Sequence, residues 1–193
     1  MRLLRQGICL FLLLAFPTWL AAQAAAAKKA PARAPVKTAD ELREECKKFV
    51  QEFFDWYLPK ASADVSKQGP ADALALKKHP EDFSRELTYA LATDAAARAK
   101  SNEVVGLDGD PFLNCQDCPL HVQYGEPKLN GYRCQVALYF VQDGVAEAEP
   151  HVIPEAAYLP GKKWIFVNFL DGDGQGDLLK TLKELKAERE KAK

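Results

Sequence analysis

Apolar and polar positions alternate with a helical period from residue 40 onward. Leu42, Cys46, Phe49, Val50, Phe53 and Tyr57 fall on one stripe, so the spacing predicts an amphipathic helix. Thr38 or Asp40 can cap its start, and Pro59 is expected to stop it just after an unusually aromatic end, FFDWYL. Gly69-Pro70 marks a turn, followed by a short helix over residues 71–77. Pro80 stands where a helix N-terminus tolerates it, with Glu81 and Asp82 behind it. Phe83, Leu87 and Leu91 then give a second stripe that runs into an alanine-rich stretch as far as Lys100.

Beyond Asn102 the pattern changes. Gly106, Gly109, Pro111 and Pro119 punctuate a long loop, and β-favouring residues follow. Residues 132–142 (YRCQVALYFVQ) read as the clearest strand, preceded by Asn130-Gly131 as a type I′ hairpin signal. Residues 163–170 (KWIFVNFL) form a second strand, with shorter ones near 121–128 and 145–153. A capped helix over residues 177–188, with Leu178, Leu182 and Leu185 on one face, ends the pattern, and the tail 189–193 is expected to fray. Helices, then a meander of strands, then a closing helix define an α+β class. N-terminal helices pack on one face of a curved antiparallel sheet, and the aromatic first helix fills its concave side.

Composition adds the compartment. Arg2 and Arg5, an apolar run over residues 8–15, Pro17 and Ala22-Gln23-Ala24 have the layout of a secretory signal peptide over residues 1–24. The run is too short to cross a bilayer as a stable span, and Cys9 lies inside it, not at a lipidation point. A disordered Ala/Lys/Pro linker over residues 25–39 precedes a single domain at 40–188. The expected product is periplasmic or secreted, with no membrane span after cleavage. Without Arg2 and Arg5 the chain carries 24 basic against 27 acidic residues, a net charge of −3 that argues against nucleic acid as a partner.

Three segments together resemble an uncharacterised family of exported bacterial proteins, domain of unknown function 3828. They are residues 49–58 (FVQEFFDWYL), 106–119 (GLDGDPFLNCQDCP) and 161–168 (GKKWIFVN). The resemblance implies a cystatin-like or NTF2-like fold, a helix cradled by an antiparallel sheet, and it implies no settled activity. Cys115 and Cys118 depart from the pattern of that loop.

Cysteines are the first candidates for chemistry. Cys46, Cys115, Cys118 and Cys134 make an even set in an oxidising compartment, so two disulfides with three possible connectivities are the default. An Asn130-Gly131 turn would set Cys134 opposite Pro127 and leave Cys118 far down the partner strand. The favoured pairing is therefore Cys46–Cys134 with Cys115–Cys118. A thiol oxidoreductase using Cys115 and Cys118 needs a helix N-terminus at the first thiol, and Pro119 leaves little room for one. Zinc held by Cys115, Cys118 and His121 with Cys46 or Cys134 competes with oxidation, and no metal or cofactor is assigned.

The acidic motifs have plainer readings too. Asp171, Asp173 and Asp177 lie in a DGDGQGD run with incomplete calcium-loop spacing, so Asp177 reads as a helix cap. Asp108, Asp110 and Asp117 could serve a hydrolase as paired carboxylates, against a structural clamp in which Asp110 ties down its own loop. Trp56 and Tyr57 read first as buried core; candidate ligand contacts are these two, as the lining of a cup-shaped cavity, with Asp110, Phe112, Gln116 and Asp117 of the mid-chain loop. His79 and His151 read as surface residues.

With no catalytic motif prominent, the expected role is a non-enzymatic binding or interaction module of the cell envelope. Its partner would be a small molecule or an envelope protein, with immunity or inhibitor behaviour as a special case. The alternative is a periplasmic enzyme built on the Cys115/Cys118 pair or the Asp108/Asp110/Asp117 cluster.

Overall fold

A computed structural model describes residues 37–63, 69–100, 106–159, 161 and 163–191, all within one compact unit spanning residues 34–193. The leader and most of the linker expected from the sequence lie outside the described residues. The first helix, α1 (Ala39–Ala61), begins at a reciprocal cap. Thr38 Oγ1 accepts from the Glu41 amide at 3.2 Å, and the Glu41 carboxylate accepts from the Thr38 amide at 2.7 Å. Pro59 lies inside the last turn and does not end the helix. Its missing N–H costs one helical bond, while the Ser62 amide still reaches the Leu58 carbonyl at 3.1 Å. Two further helices follow, α2 (Ala71–Lys78) and α3 (Arg85–Arg98). The helix expected from Pro80 onward is divided. Pro80–Asp82 form one 3₁₀ turn, Phe83 is extended, and Ser84 is the cap of α3, accepting from the Leu87 amide at 3.2 Å.

Among the described residues, seven antiparallel strands form the curled sheet: β1 (Val122–Tyr124), β2 (Lys128–Asn130), β3 (Arg133–Gln135), β4 (Leu138–Gln142), β5 (Val145–Ala146), β6 (Val152–Tyr158) and β7 (Trp164–Asp171). The strand expected over residues 132–142 is divided into β3 and β4, which lie in line along β6. Pro154 of β6 explains the lapse between them. Its carbonyl accepts from the Val136 amide at 3.2 Å, but proline has no N–H to return. Of the expected strand at 145–153, only β5 and the start of β6 are extended, and β5 is joined to β4 through Asp143 and Gly144, both at positive φ as a type I′ turn needs.

The tip of the β2–β3 hairpin corrects the expected turn. Asn130 pairs with Arg133, so the loop residues are Gly131 and Tyr132, and Cys134 stands opposite Leu129, not Pro127. Gly131 has φ 59° while Tyr132 is not at positive φ, the signature of type II′ and not I′. The shift is by two residues, which leaves every side chain on its expected face.

A bulge decides the inner face of β7. Pairing with β6 slips between Glu155 and Ala156, so Val167 is extra. Trp164 and Phe166 point to the core before it, and Phe169 does so after it, whereas strict alternation would have turned Asn168 inward. The buried stripe of α1, from Leu42 through Cys46, Val50 and Phe53 to Tyr57, packs on this face. Phe53 touches Tyr57, Phe83, Phe112 and Phe166 with ring centroids 4.8–6.0 Å apart. These rings fill the concavity, each burial contributing about 2–3 kcal/mol. A closing helix, α4 (Leu178–Lys191), runs past residue 188 and packs on α3 and β7. No helix among the described residues is long and apolar enough to cross a membrane.

Candidate functional site

The loop over residues 107–118 is built around Asp110. Its backbone amide donates to the Cys115 carbonyl at 2.8 Å, and the Asn114 amide donates to the Asp110 carbonyl at 2.8 Å. Its side chain accepts from the amides of Phe112 at 2.9 Å and Leu113 at 3.0 Å, and from the buried Tyr57 hydroxyl. Asn114 sits at φ 51°, a conformation asparagine tolerates. Gly109 is required where it stands, since a Cβ there would lie 2.8 Å from the Cys115 carbonyl oxygen. Phe112 and Leu113 are thereby driven into the core, both fully buried.

Burial pushes the Asp110 carboxyl up to about 6 against the hydrogen bonds from Tyr57, Phe112 and Leu113 that pull it down, and the neighbouring Asp72 charge adds to the rise. The Tyr57 phenol is raised well above its ordinary value, by burial first and then by Asp110. Asp110 thus holds its loop in place with every one of these bonds directed inward.

Open space lies on both sides of the loop, outside the ring-filled core. One cleft, of about 320 Å³, is bounded by the loop, the end of β7 and the start of α4. The other, of about 440 Å³, lies between the loop and α2, with Asp72 and Arg98 on its wall. Asp108, Asp110 and Gln116 border both, and Gln116 Nε2 donates to Asp108 Oδ2 at 3.0 Å. Trp56, Tyr57, Phe112 and Asp117 line neither. Trp56 is half-buried against His79, its ring centroid 4.3 Å away, with Lys60 Nζ over the Trp56 ring at 4.4 Å. Asp117 is exposed. Neither histidine expected at the surface is free of the fold: His79 packs on Trp56 and His151 stacks on Phe140 at 3.7 Å.

The cysteine sulfurs meet in two pairs at bonding distance, Cys46 with Cys134 and Cys115 with Cys118. The first ties α1 to β3 across the sheet. The second closes the end of the loop, where residues 116–118 run through bends toward β1 and no helix begins at Cys115. The DGDGQGD run forms a turn. Asp177 Oδ1 caps α4 by accepting from the Lys180 amide at 2.8 Å, and Asp173 Oδ1 accepts from the Gln175 amide at 2.8 Å.

The charged group beside the second cleft escapes the sequence reading. Asp94 of α3 is buried at 1 % exposure and accepts from Arg189 of α4 at 2.7 Å, ion-pairs with Arg98 Nε at 3.1 Å and accepts from the Leu107 amide at 3.3 Å. Gly106 permits this approach, because a Cβ would meet both Asp94 oxygens at 2.7 Å. A signal was present: Asp94 continues the Leu87–Leu91 stripe by three residues, a carboxylate on an apolar face. Comparison with protein families, curated proteins and solved structures returns no match.

Proposed function

We propose that this chain is an exported, non-enzymatic binding or interaction module of the bacterial cell envelope that engages its ligand in the clefts beside residues 107–118. One observation carries the reading. The cup formed by the sheet is filled by Phe53, Phe112 and Phe166, and two clefts open instead on either side of a loop held in place by Asp110. Rigid loops on a packed scaffold are where binding residues concentrate.

Several features support a module over an enzyme. Among the described residues, neither cleft is lined by histidine, serine or a free thiol, and the Asp110 carboxylate is already engaged by three donors. The Cys115 sulfur lacks the helix N-terminus that would make it a reactive thiolate. Two cysteine pairs at bonding distance suit an oxidising compartment, in keeping with a periplasmic or secreted protein.

The test has two parts. Full-length protein expressed in a diderm bacterium is recovered from the periplasm or medium with its N-terminus at residue 25. Soluble peptidoglycan fragments, titrated into ¹⁵N-labelled protein, shift amide signals of residues 107–118. An intact leader on cytosolic protein, or turnover in thiol–disulfide or hydrolase assays, would overturn the proposal.

A further inference from the structure

The wall of the 440 Å³ cleft holds a carboxylate whose bonding is incomplete. Asp72, in the first turn of α2, is 7 % exposed and lines the cleft. Its closest cationic partner is Arg98 Nη2 at 3.8 Å, the outer edge of an ion pair, and among the described residues no hydrogen bond reaches its oxygens. Arg98 stands between two carboxylates, with its Nε 3.1 Å from Asp94 Oδ2. A buried carboxylate is costly unless paired and hydrogen-bonded, and an ionised one only accepts. What Asp72 still lacks is therefore a close N–H donor, which a cationic ligand would supply.

The rest of the cleft asks for the same. Asp110 and the exposed Asp108 border it, and the Asp72 charge acts on Asp110 across it. Lys60 at its edge directs Nζ to the Trp56 carbonyl at 2.7 Å. A calcium or magnesium ion needs about six convergent oxygens. The described residues offer no group of three or more acidic, histidine or cysteine side chains placed to hold a metal. A protonated primary amine is compact, carries three N–H donors and needs fewer carboxylates.

We propose that the cleft between α2 and the 107–118 loop binds a small ligand through a protonated primary amine, held by Asp72 with Asp108 at the mouth. This rests on the binding-module reading and names the chemistry its ligand presents. The experiment titrates ¹⁵N-labelled protein with 1,5-diaminopentane, with glutarate as an anion of similar length, and with tetramethylammonium as a cation without N–H donors. Diaminopentane is expected to shift the amides of Asp72 and Leu107 to Gln116 saturably, and the other two are not. Asp72→Asn should weaken that binding about tenfold, the scale of one charge-assisted hydrogen bond, and the exposed Asp108→Asn about threefold. Near-UV circular dichroism shows whether each variant keeps its fold, and Asp108→Asn carries the test should Asp72→Asn unfold. Glutarate binding in the cleft, equal binding of tetramethylammonium, or undiminished binding by folded variants would overturn the proposal. If diaminopentane fails while peptidoglycan fragments still shift the loop, the amine is wrong and the module stands; if neither shifts it, both fall.

Discussion

Tyr57, at the buried end of α1, donates its phenolic hydrogen to Asp110, 53 residues further along the chain, and that bond joins the aromatic core to the loop bordering both clefts. It places a carboxylate where burial works against ionisation and three donors work for it. Stability should therefore follow this group with pH.

Asp110 binds its proton more tightly in the folded chain, titrating near 6 against an ordinary 3.8. Its contribution favours the fold below the ordinary value and is lost as pH rises through about 6, by at most about 3 kcal/mol. Urea unfolding at pH 4 to 7 should show this decline, and Asp110→Asn should flatten it. Tyr57→Phe removes a bond that lowers the Asp110 value, so the carboxyl ¹³C titration of Asp110 should move to higher pH. A wild-type midpoint near 4 would contradict the burial argument.

The two cysteine pairs should differ in worth. Cys46 and Cys134 are 88 residues apart and Cys115 and Cys118 only 3. Loop-closure entropy assigns about 4–5 kcal/mol to the long closure and about 2 kcal/mol to the short one. Replacing each pair by alanine and comparing urea midpoints checks the ranking. Equal losses would mean that the short ring carries the loop by more than chain entropy.

Asp94→Ala leaves Arg98 and Arg189 facing each other's charge without the carboxylate between them, at a cost of about 3–5 kcal/mol. Arg189→Ala should cost less, because Arg98 still pairs with Asp94. Both losses are read from chemical denaturation at neutral pH. A neutral Asp94→Ala would show that the cluster does not hold α3 to α4.

Asn168 stands just past the β7 bulge, where Oδ1 accepts from the amides of Phe169 at 3.0 Å and Leu179 at 3.1 Å, and Nδ2 donates to Asp177 at 2.9 Å. Asn168→Ala should cost about 1–3 kcal/mol and raise hydrogen exchange selectively in the first turn of α4. Uniform exchange through α3 and α4 would deny Asn168 a local role.

Residues that act on near neighbours were legible before any tertiary contact was known. The α1 stripe from Leu42 to Tyr57, the short α2, the Asp177 cap and the strand content of β3, β4 and β7 are written at spacings of two to four residues. They follow from periodicity and cap chemistry, so the α+β class came with them. Positions that depend on partners far along the chain were not legible. The hairpin tip moved to Gly131 and Tyr132 because Cys134 is held opposite both Leu129 and Ala156, and the β7 bulge exists only against β6. The stripe alone leaves Tyr57 open to core or cavity lining, and packing buries it as the donor that holds Asp110. Asp72, Asp94, Arg98 and Arg189 lie on three helices and meet only when those helices close over the loop. A local pattern states which face of an element is apolar; which charges end up together beside a cleft is settled by the packing of those faces against one another.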